Sequence, residues 1–244
     1  MAEISVYPDP AALTRRAAEM ITALAAEIVP VQGRFSMGLS GGSTPRALFT
    51  LLASDDYAQR IPWSGVHVFW GDERCVPPDH TESNYRMARE ALLDHVPIPA
   101  ENIHRVRAEL SPAEAAQDYE QTLRSFFAAE SDQTPPRFDL LLLGMGDDGH
   151  TASLFPHTAA LHEHTRWVIE NRVEKLNTWR ITLTVSAINA AAQVLFLVIG
   201  SSKATVLRDV LHGPYQPGHY PSQRIGPING RLIWLLDAAA AALL

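Results

Sequence analysis

The amino-acid sequence predicts an α/β fold in which a mostly parallel sheet is flanked by helices. Apolar runs of strand length alternate with longer segments whose apolar residues recur at helical spacing. The runs at 138–143 and 194–199 lack a polar face, as expected of strands that helices cover on both sides. Because no stretch resembles an interdomain linker, residues 1–244 are expected to form a single domain.

The individual elements follow from periodicity and residue type. Leu13, Ala17, Ile21 and Leu24 fall on one face of the first predicted helix, and Ser111 precedes a later helix as its expected N-cap. Strands are predicted at 35–39, 66–70, 138–143, 167–170, 180–184, 194–199 and 231–236. Helices are predicted at 10–28, 44–52, 82–93, 112–129 and 202–211, with a last helical turn at 238–242.

Composition and charge narrow the classes of partner. The formal net charge of −7 argues against nucleic acid as a main partner, but it allows a small anionic ligand at a local cationic cluster. The single cysteine, Cys75, rules out an internal disulfide and fits a reducing compartment. We see no signal peptide and no apolar run of membrane-spanning length, so a cytoplasmic location is expected.

Polar, glycine-rich segments follow four of the predicted strands. Ligands of open parallel sheets bind beyond the carboxyl ends of the strands, so these four segments are expected to converge on one crevice. The segments are SGGSTP at 40–45, GDER at 71–74, GMGDDGH at 144–150 and GSSK at 200–203.

The first segment has the chemistry of an anion site. Gly41 and Gly42 allow a ligand close to the backbone, and Ser43 and Thr44 add hydroxyl groups at a helix N-terminus. The alternative is a tight strand-to-helix turn with Ser43 as N-cap. Residue types alone do not separate the two interpretations.

Two cationic residues are candidates for the same anion. Lys203 lies at a helix N-terminus, where a cation faces an unfavourable dipole unless an anion binds beside it. Arg180 begins a strand, from which a guanidinium group can hold a phosphate through two parallel N–H bonds. A solvated lysine and a surface salt bridge are the respective alternatives.

The loop at 144–150 carries the most specific signal. Its three glycines present Asp148 and His150 at the end of a buried strand, and histidine can take a proton from water near neutral pH. Asp72, Glu73 and Arg74 of GDER are either a solvated ion cluster or an orienting acid and a substrate-binding cation, and the sequence does not divide the roles of the two acids. His162 and His164 form only a weak metal pattern, so no metal site is expected.

Five segments together resemble the 6-phosphogluconolactonases: LSGGSTP, GDERCVPPDHTESNY, FDLLLLGMGDDGHTASLFP, RITLT and GSSKATVL occur in that family's order. The resemblance covers essentially the whole chain and implies a Rossmann-like fold of the NagB/RpiA/CoA-transferase-like type. It implies hydrolysis of 6-phospho-D-glucono-1,5-lactone to 6-phospho-D-gluconate in the oxidative pentose phosphate pathway, without a metal or organic cofactor.

The resemblance also implies residue roles. His150 is expected to activate water as a general base, with Asp72 and Asp148 holding or polarising the site, and Arg74 is expected to contact the substrate. The residues expected to bind the phosphate end are Gly42, Ser43, Thr44, Arg180 and Lys203.

Two other functions are alternatives to lactone hydrolysis. Glucosamine-6-phosphate deaminases share a GxGxDGH loop, but related deaminases have a further acid shortly after it, where this chain has TASLFP. A non-catalytic sugar-phosphate sensor would need the phosphate-binding residues but not His150 and its acidic neighbours.

Overall fold

The computed structural model describes residues 2–128 and 135–244. Its main sheet has six strands in the order β1-β9-β8-β5-β2-β3, and every neighbouring pair is parallel. The strands of this sheet are β1 (Glu3–Tyr7), β2 (Phe35–Leu39), β3 (Val66–Trp70), β5 (Leu140–Leu143), β8 (Gln193–Val198) and β9 (Arg231–Asp237). The predicted α/β fold is confirmed.

In the described part of the chain, seven α-helices connect the strands and cover the sheet. Ser111 is the N-cap of α5, as predicted. The backbone N–H and the hydroxyl group of Ser111 both donate to the Glu114 carboxylate. The helices are α1 (Pro10–Gln32), α2 (Ser43–Leu52), α3 (Asp55–Ala58), α4 (Asn84–Ala91), α5 (Pro112–Phe127), α6 (Val185–Asn189) and α7 (Ala204–His212). The predicted end of α5 at residue 129 lies outside the described residues.

The order of the strands positions the site. All four residues of β5 are buried, and β5 lies between β2 and β8, so it forms the middle of the sheet. Strands β8, β5, β2 and β3 are parallel neighbours, and their carboxyl ends therefore lie at one edge. The four polar segments therefore follow strands that end at the same edge of the sheet, as predicted.

A second, antiparallel sheet was not predicted. It contains β4 (Asp72–Arg74), β7 (Thr178–Leu183) and β6 (Val168–Val173), in that order. No strand was predicted within GDER, but its residues Asp72–Arg74 pair with β7. The Leu183 N–H donates to the Gly71 carbonyl at 2.9 Å, which ties this sheet to the end of β3.

Other differences lie at the ends of the chain. Strand β1 was missed, since it is an edge strand that pairs only with β9 and leaves Ile4 and Val6 exposed. The alanines at 238–242 form hydrogen-bonded turns rather than the predicted helical turn. Across residues 2–128 and 135–244, no helix has the length and apolar character needed to cross a membrane.

Candidate active site

The glycine-rich turn after β2 opens helix α2. Gly42 is the N-cap with φ of 107°, a backbone conformation that favours glycine, and Ser43 is the first helical residue. The alternative that made Ser43 the N-cap is therefore wrong. Within the described residues no side chain caps α2, so its first N–H groups are available to an anion.

His150 and Asp148 form a hydrogen-bonded pair at the end of β5. Asp148 Oδ1 lies 2.5 Å from His150 Nδ1 and also accepts from the His150 backbone N–H at 3.2 Å. This contact holds a proton on Nδ1 and leaves Nε2 as the free base. The loop itself is fixed, because the Gly146 N–H donates to the His150 carbonyl at 2.8 Å.

The environment keeps the His150 imidazole neutral. Burial lowers the pKa of His150 to about 4, and the cations Lys203 and Arg180 act in the same direction, against the negative charges of Asp72 and Asp147. Phe155 covers one face of the ring, with the two ring centroids 4.0 Å apart. A neutral imidazole at pH 7 is able to accept a proton.

Two adjacent acids of β4 have different surroundings. The Glu73 carboxylate is buried and accepts backbone N–H bonds from Arg74, Asn84 and Tyr85 at 2.7–2.8 Å, so it fixes the start of α4. Burial raises the pKa of Glu73, and these donors oppose the rise. Asp72 Oδ2 instead accepts from the Ser153 hydroxyl at 2.6 Å.

Two guanidinium groups lie side by side on the small sheet. Arg74 and Arg180 are directly paired residues of β4 and β7, and no carboxylate among the described residues forms an ion pair with either. Burial, followed by the charge of Arg74, lowers the pKa of Arg180. Arg74 Nε is buried without a hydrogen-bond partner within the described part of the chain. Such an arrangement favours an anionic ligand.

One cavity collects most of the predicted residues. It has a volume of about 430 Å³, and its lining includes Asp72, Arg74, Asp148, His150 and Arg180. Lys203 does not line the cavity. Its ammonium group forms an ion pair with Asp147, which does line the cavity.

The glycine-rich turn lies outside the cavity lining but close to it. Gly42, Ser43 and Thr44 do not line the cavity. A side chain at Gly41 would collide with the Asn84 amide, which donates to the Asp72 carbonyl at 2.9 Å. The turn therefore packs against the residues that hold Asp72.

Lys175 is a site residue that the sequence analysis did not identify. It lies between β6 and β7, forms an ion pair with Asp148 Oδ2, and lines the same cavity. An isolated lysine in a polar segment has no motif around it that indicates a function. The one signal in the sequence is that lysine is rare, since Lys175 is one of two lysines in the chain. In the part of the chain that the structure describes, no group of three or more His, Cys, Asp or Glu residues is arranged to hold a metal ion.

Comparison with known proteins identifies the family. The family of glucosamine-6-phosphate isomerases and 6-phosphogluconolactonases matches residues 8–234. The chain belongs to this family. Within it, a 6-phosphogluconolactonase of Nostoc sp. is 48% identical over 240 residues, which are 98% of this chain and 97% of the relative.

Solved structures of the family share the fold. The 6-phosphogluconolactonase of Trypanosoma cruzi is 30% identical, with a TM-score of 0.87 over 100% of this chain and 97% of that chain. A monomeric glucosamine-6-phosphate deaminase is 18% identical, with a TM-score of 0.83 over 99% of this chain and 100% of that chain. The fold is therefore common to both activities, and the site residues must distinguish them.

Proposed function

We propose that the protein hydrolyses 6-phospho-D-glucono-1,5-lactone to 6-phospho-D-gluconate, in the oxidative pentose phosphate pathway and in the cytoplasm. The observation that carries this proposal is one cavity that holds a neutral, oriented imidazole beside two guanidinium groups that form no ion pair with a carboxylate of the described residues. The imidazole suits water activation, and the guanidinium groups suit a phosphorylated substrate. The names of the full-length relatives support the same activity.

The proposed reaction begins with a water molecule at His150 Nε2. The imidazole removes a proton as the water oxygen attacks the lactone carbonyl carbon, and the carbonyl oxygen becomes a tetrahedral oxyanion. Collapse of this intermediate breaks the bond to the ring oxygen. The imidazolium then returns its proton to that oxygen, which becomes the C5 hydroxyl group of the product.

Asp148 and Asp72 act on this sequence in different ways. Asp148 holds the tautomer of His150 that leaves Nε2 free, and it stabilises the imidazolium while that ion exists. Asp72 is held by Ser153 in the cavity wall, where its charge also favours the imidazolium. Neither carboxylate needs to change its own protonation state.

The phosphate end supplies binding energy away from the reacting carbon. Arg180, Arg74 and Lys175 are cations that line the cavity, and of these Lys175 pairs with Asp148. Lys203 and the N-terminus of α2 at Gly42 lie beside the neighbouring strand ends. Energy from this remote contact positions the lactone carbonyl against the imidazole. Ser43 and Thr44 extend the same anion-binding surface with their hydroxyl groups.

The first test is lactone hydrolysis by the purified protein, measured against the spontaneous rate. We expect His150→Ala to reduce kcat by about 10²-fold or more and to leave binding of 6-phosphogluconate largely unchanged. His212→Ala, at the exposed end of α7, is the matched control and is expected to behave like the wild-type protein. Unchanged turnover in His150→Ala would remove His150 from the mechanism.

The same preparation tests the two other functions. Release of ammonia from glucosamine 6-phosphate would indicate a deaminase, although Thr151–Pro156 offers no carboxylate for that chemistry. Binding of 6-phosphogluconate without hydrolysis above background would indicate a sensor. Either result would contradict the proposed lactonase activity.

A further inference from the structure

The chain contains only two lysines, and both contact the catalytic loop. The sequence has 20 Lys and Arg residues together, of which only Lys175 and Lys203 are lysines. Lys203 pairs with Asp147 and Lys175 pairs with Asp148, the two adjacent acids that precede His150 in the loop. The two lysines belong to separate elements, one between β6 and β7 and the other just before α7.

The Lys175 ammonium group occupies a defined place beside the base. It binds Asp148 Oδ2, whereas Asp148 Oδ1 takes both donors of His150. The same ammonium group lies 5.0 Å from the centroid of Phe155, whose other neighbour is the imidazole. A cation over a phenyl ring is attracted to it, so two independent contacts hold Lys175 in place.

This arrangement resolves a conflict in the role of Asp148. A carboxylate beside Nδ1 orients the ring, but its negative charge also favours the protonated imidazole, which cannot act as a base. A cation on the second oxygen compensates that charge without disturbing the first oxygen. Asp148 then orients His150 and the ring stays unprotonated.

We propose that Lys175 is a positioning residue that offsets part of the negative charge of Asp148, so that the carboxylate orients His150 without holding its imidazole in the protonated form. This role rests on the proposed lactonase function for its effect on catalysis, but not for its effect on the imidazole. Lys175 acts through Asp148 and has no assigned contact with the substrate.

Several other charges also face His150 and must stay constant in any test. Burial and the remaining charges hold the pKa of His150 at about 4, so the contribution of Lys175 appears as a change from that value. The charged groups that face the ring from the surrounding elements are Asp72 of β4, Asp147 and Asp148 of its own loop, Lys175 before β7, Arg180 of β7 and Lys203 before α7.

The direct test is NMR titration of the His150 ring without substrate, in the wild-type protein and in Lys175→Met. The His150 signal is assigned by its absence from His150→Ala. We expect the pKa of His150 to rise by about half a unit or more in Lys175→Met, because Asp148 Oδ1 keeps its two donors while its charge is no longer compensated. Lys175→Arg should restore a value near that of the wild-type protein.

Glu174→Gln is the matched control. Glu174 is the neighbouring residue, its side chain is 84% exposed, and Glu174→Gln changes the local charge by one unit in the opposite direction. We expect this variant to leave the pKa of His150 unchanged. An unchanged pKa in Lys175→Met, or an equal change in Glu174→Gln, would overturn the proposal.

The catalytic readout separates this role from a structural one. The acid limb of the profile of kcat/KM against pH should move upward in Lys175→Met by the same amount as the NMR value, with KM near that of wild type. A uniform loss at every pH would contradict the proposal. If the wild-type protein does not hydrolyse the lactone, the proposed function fails, and the NMR titration still decides the role of Lys175.

Discussion

At the scale of single residues, two neighbouring acids show how the same side-chain chemistry serves different purposes. Successive residues of a strand point to opposite faces, so Asp72 and Glu73 cannot share surroundings. Glu73 faces α4 and binds the backbone N–H groups at its start, whereas Asp72 lines the cavity with His150. We therefore assign stability to Glu73 and catalysis to Asp72.

This assignment predicts opposite phenotypes for two conservative variants. Glu73→Gln should lose about 1–3 kcal/mol of unfolding free energy, because one oxygen that accepts buried N–H bonds becomes an amide donor. Asp72→Asn should retain its stability and lose at least about tenfold in kcat, because the charge that favours the imidazolium is gone. Urea unfolding and steady-state kinetics on both variants measure the two effects. Equal stability loss in both would contradict the division of roles.

Sequence reasoning points to the candidate site residues whose own side-chain type suggests the proposed chemistry. His150 and Asp148 were identifiable because glycines surround them at the end of an apolar strand. The roles of Glu73 and Lys175 were not identifiable, since each depends on a partner far along the chain: the N-terminus of α4 for Glu73 and Asp148 for Lys175. The spacing of residues along the sequence does not predict contacts between residues that are far apart in the chain.

At the scale of elements, the loop between β5 and β6 depends on the absence of a side chain at one position. A methyl group at Gly146 would overlap the His150 imidazole and would also meet the Asp148 carboxylate at 2.9 Å. At Gly144 in the same loop, a methyl group would have no neighbour within 4 Å. The close approach of ring and backbone thus requires glycine at residue 146 and not at residue 144.

The two glycines provide a matched pair of variants. Gly146→Ala should displace the His150 ring and reduce kcat by about 10²-fold or more, as expected for loss of a positioned base. Gly144→Ala should retain kcat within about threefold, since the added group meets nothing, and both proteins should unfold cooperatively. Kinetics and circular dichroism on the pair provide the measurement. A similar loss of kcat in both variants would show that the loop tolerates no change at all.

At the scale of the whole molecule, the parallel main sheet was predictable except for its edge strand β1, whereas strand β4 and the antiparallel pairing of the small sheet were not. Strands β2 and β3 were predicted with their observed bounds because they are short apolar runs between clear breakers. Strand β4 has only three residues, Asp72–Arg74, and all three are charged, so neither periodicity nor propensity marks it. Its pairing with β7 is a tertiary effect, and it is this pairing that brings Arg74 and Arg180 together.

The whole molecule also has a predictable response to acid. Burial lowers the pKa of His104 to about 4, and it also lowers the pKa of His67. The two side chains are neighbours, with His67 Nδ1 and His104 Nε2 3.2 Å apart. The unfolded chain binds these protons at about pH 6.5, so stability falls as the pH decreases from about 6.5 towards 4. The ring stack of His104 on Phe69, with centroids 4.4 Å apart, is the structure that resists protonation.

We expect His104→Phe to weaken this dependence. The variant keeps an aromatic ring against Phe69 but removes one titrating group, so it should lose about 1 kcal/mol less stability than wild type between pH 7 and pH 5. Urea unfolding at both pH values measures the difference. His212→Ala, which changes an exposed histidine, should show the wild-type dependence. An undiminished dependence in His104→Phe would assign the acid sensitivity to other groups.

The scarcity of lysine gives the molecule an unusual pattern of enzymatic cleavage. An endoproteinase that cuts only after lysine has two targets, and cleavage at both would divide the chain into fragments 1–175, 176–203 and 204–244. Both targets flank the loop that carries His150. The rate of digestion, followed by mass spectrometry, therefore measures how accessible these two lysines are. A sugar phosphate that binds beside them and slows the digestion would be detected without a radioactive or fluorescent label.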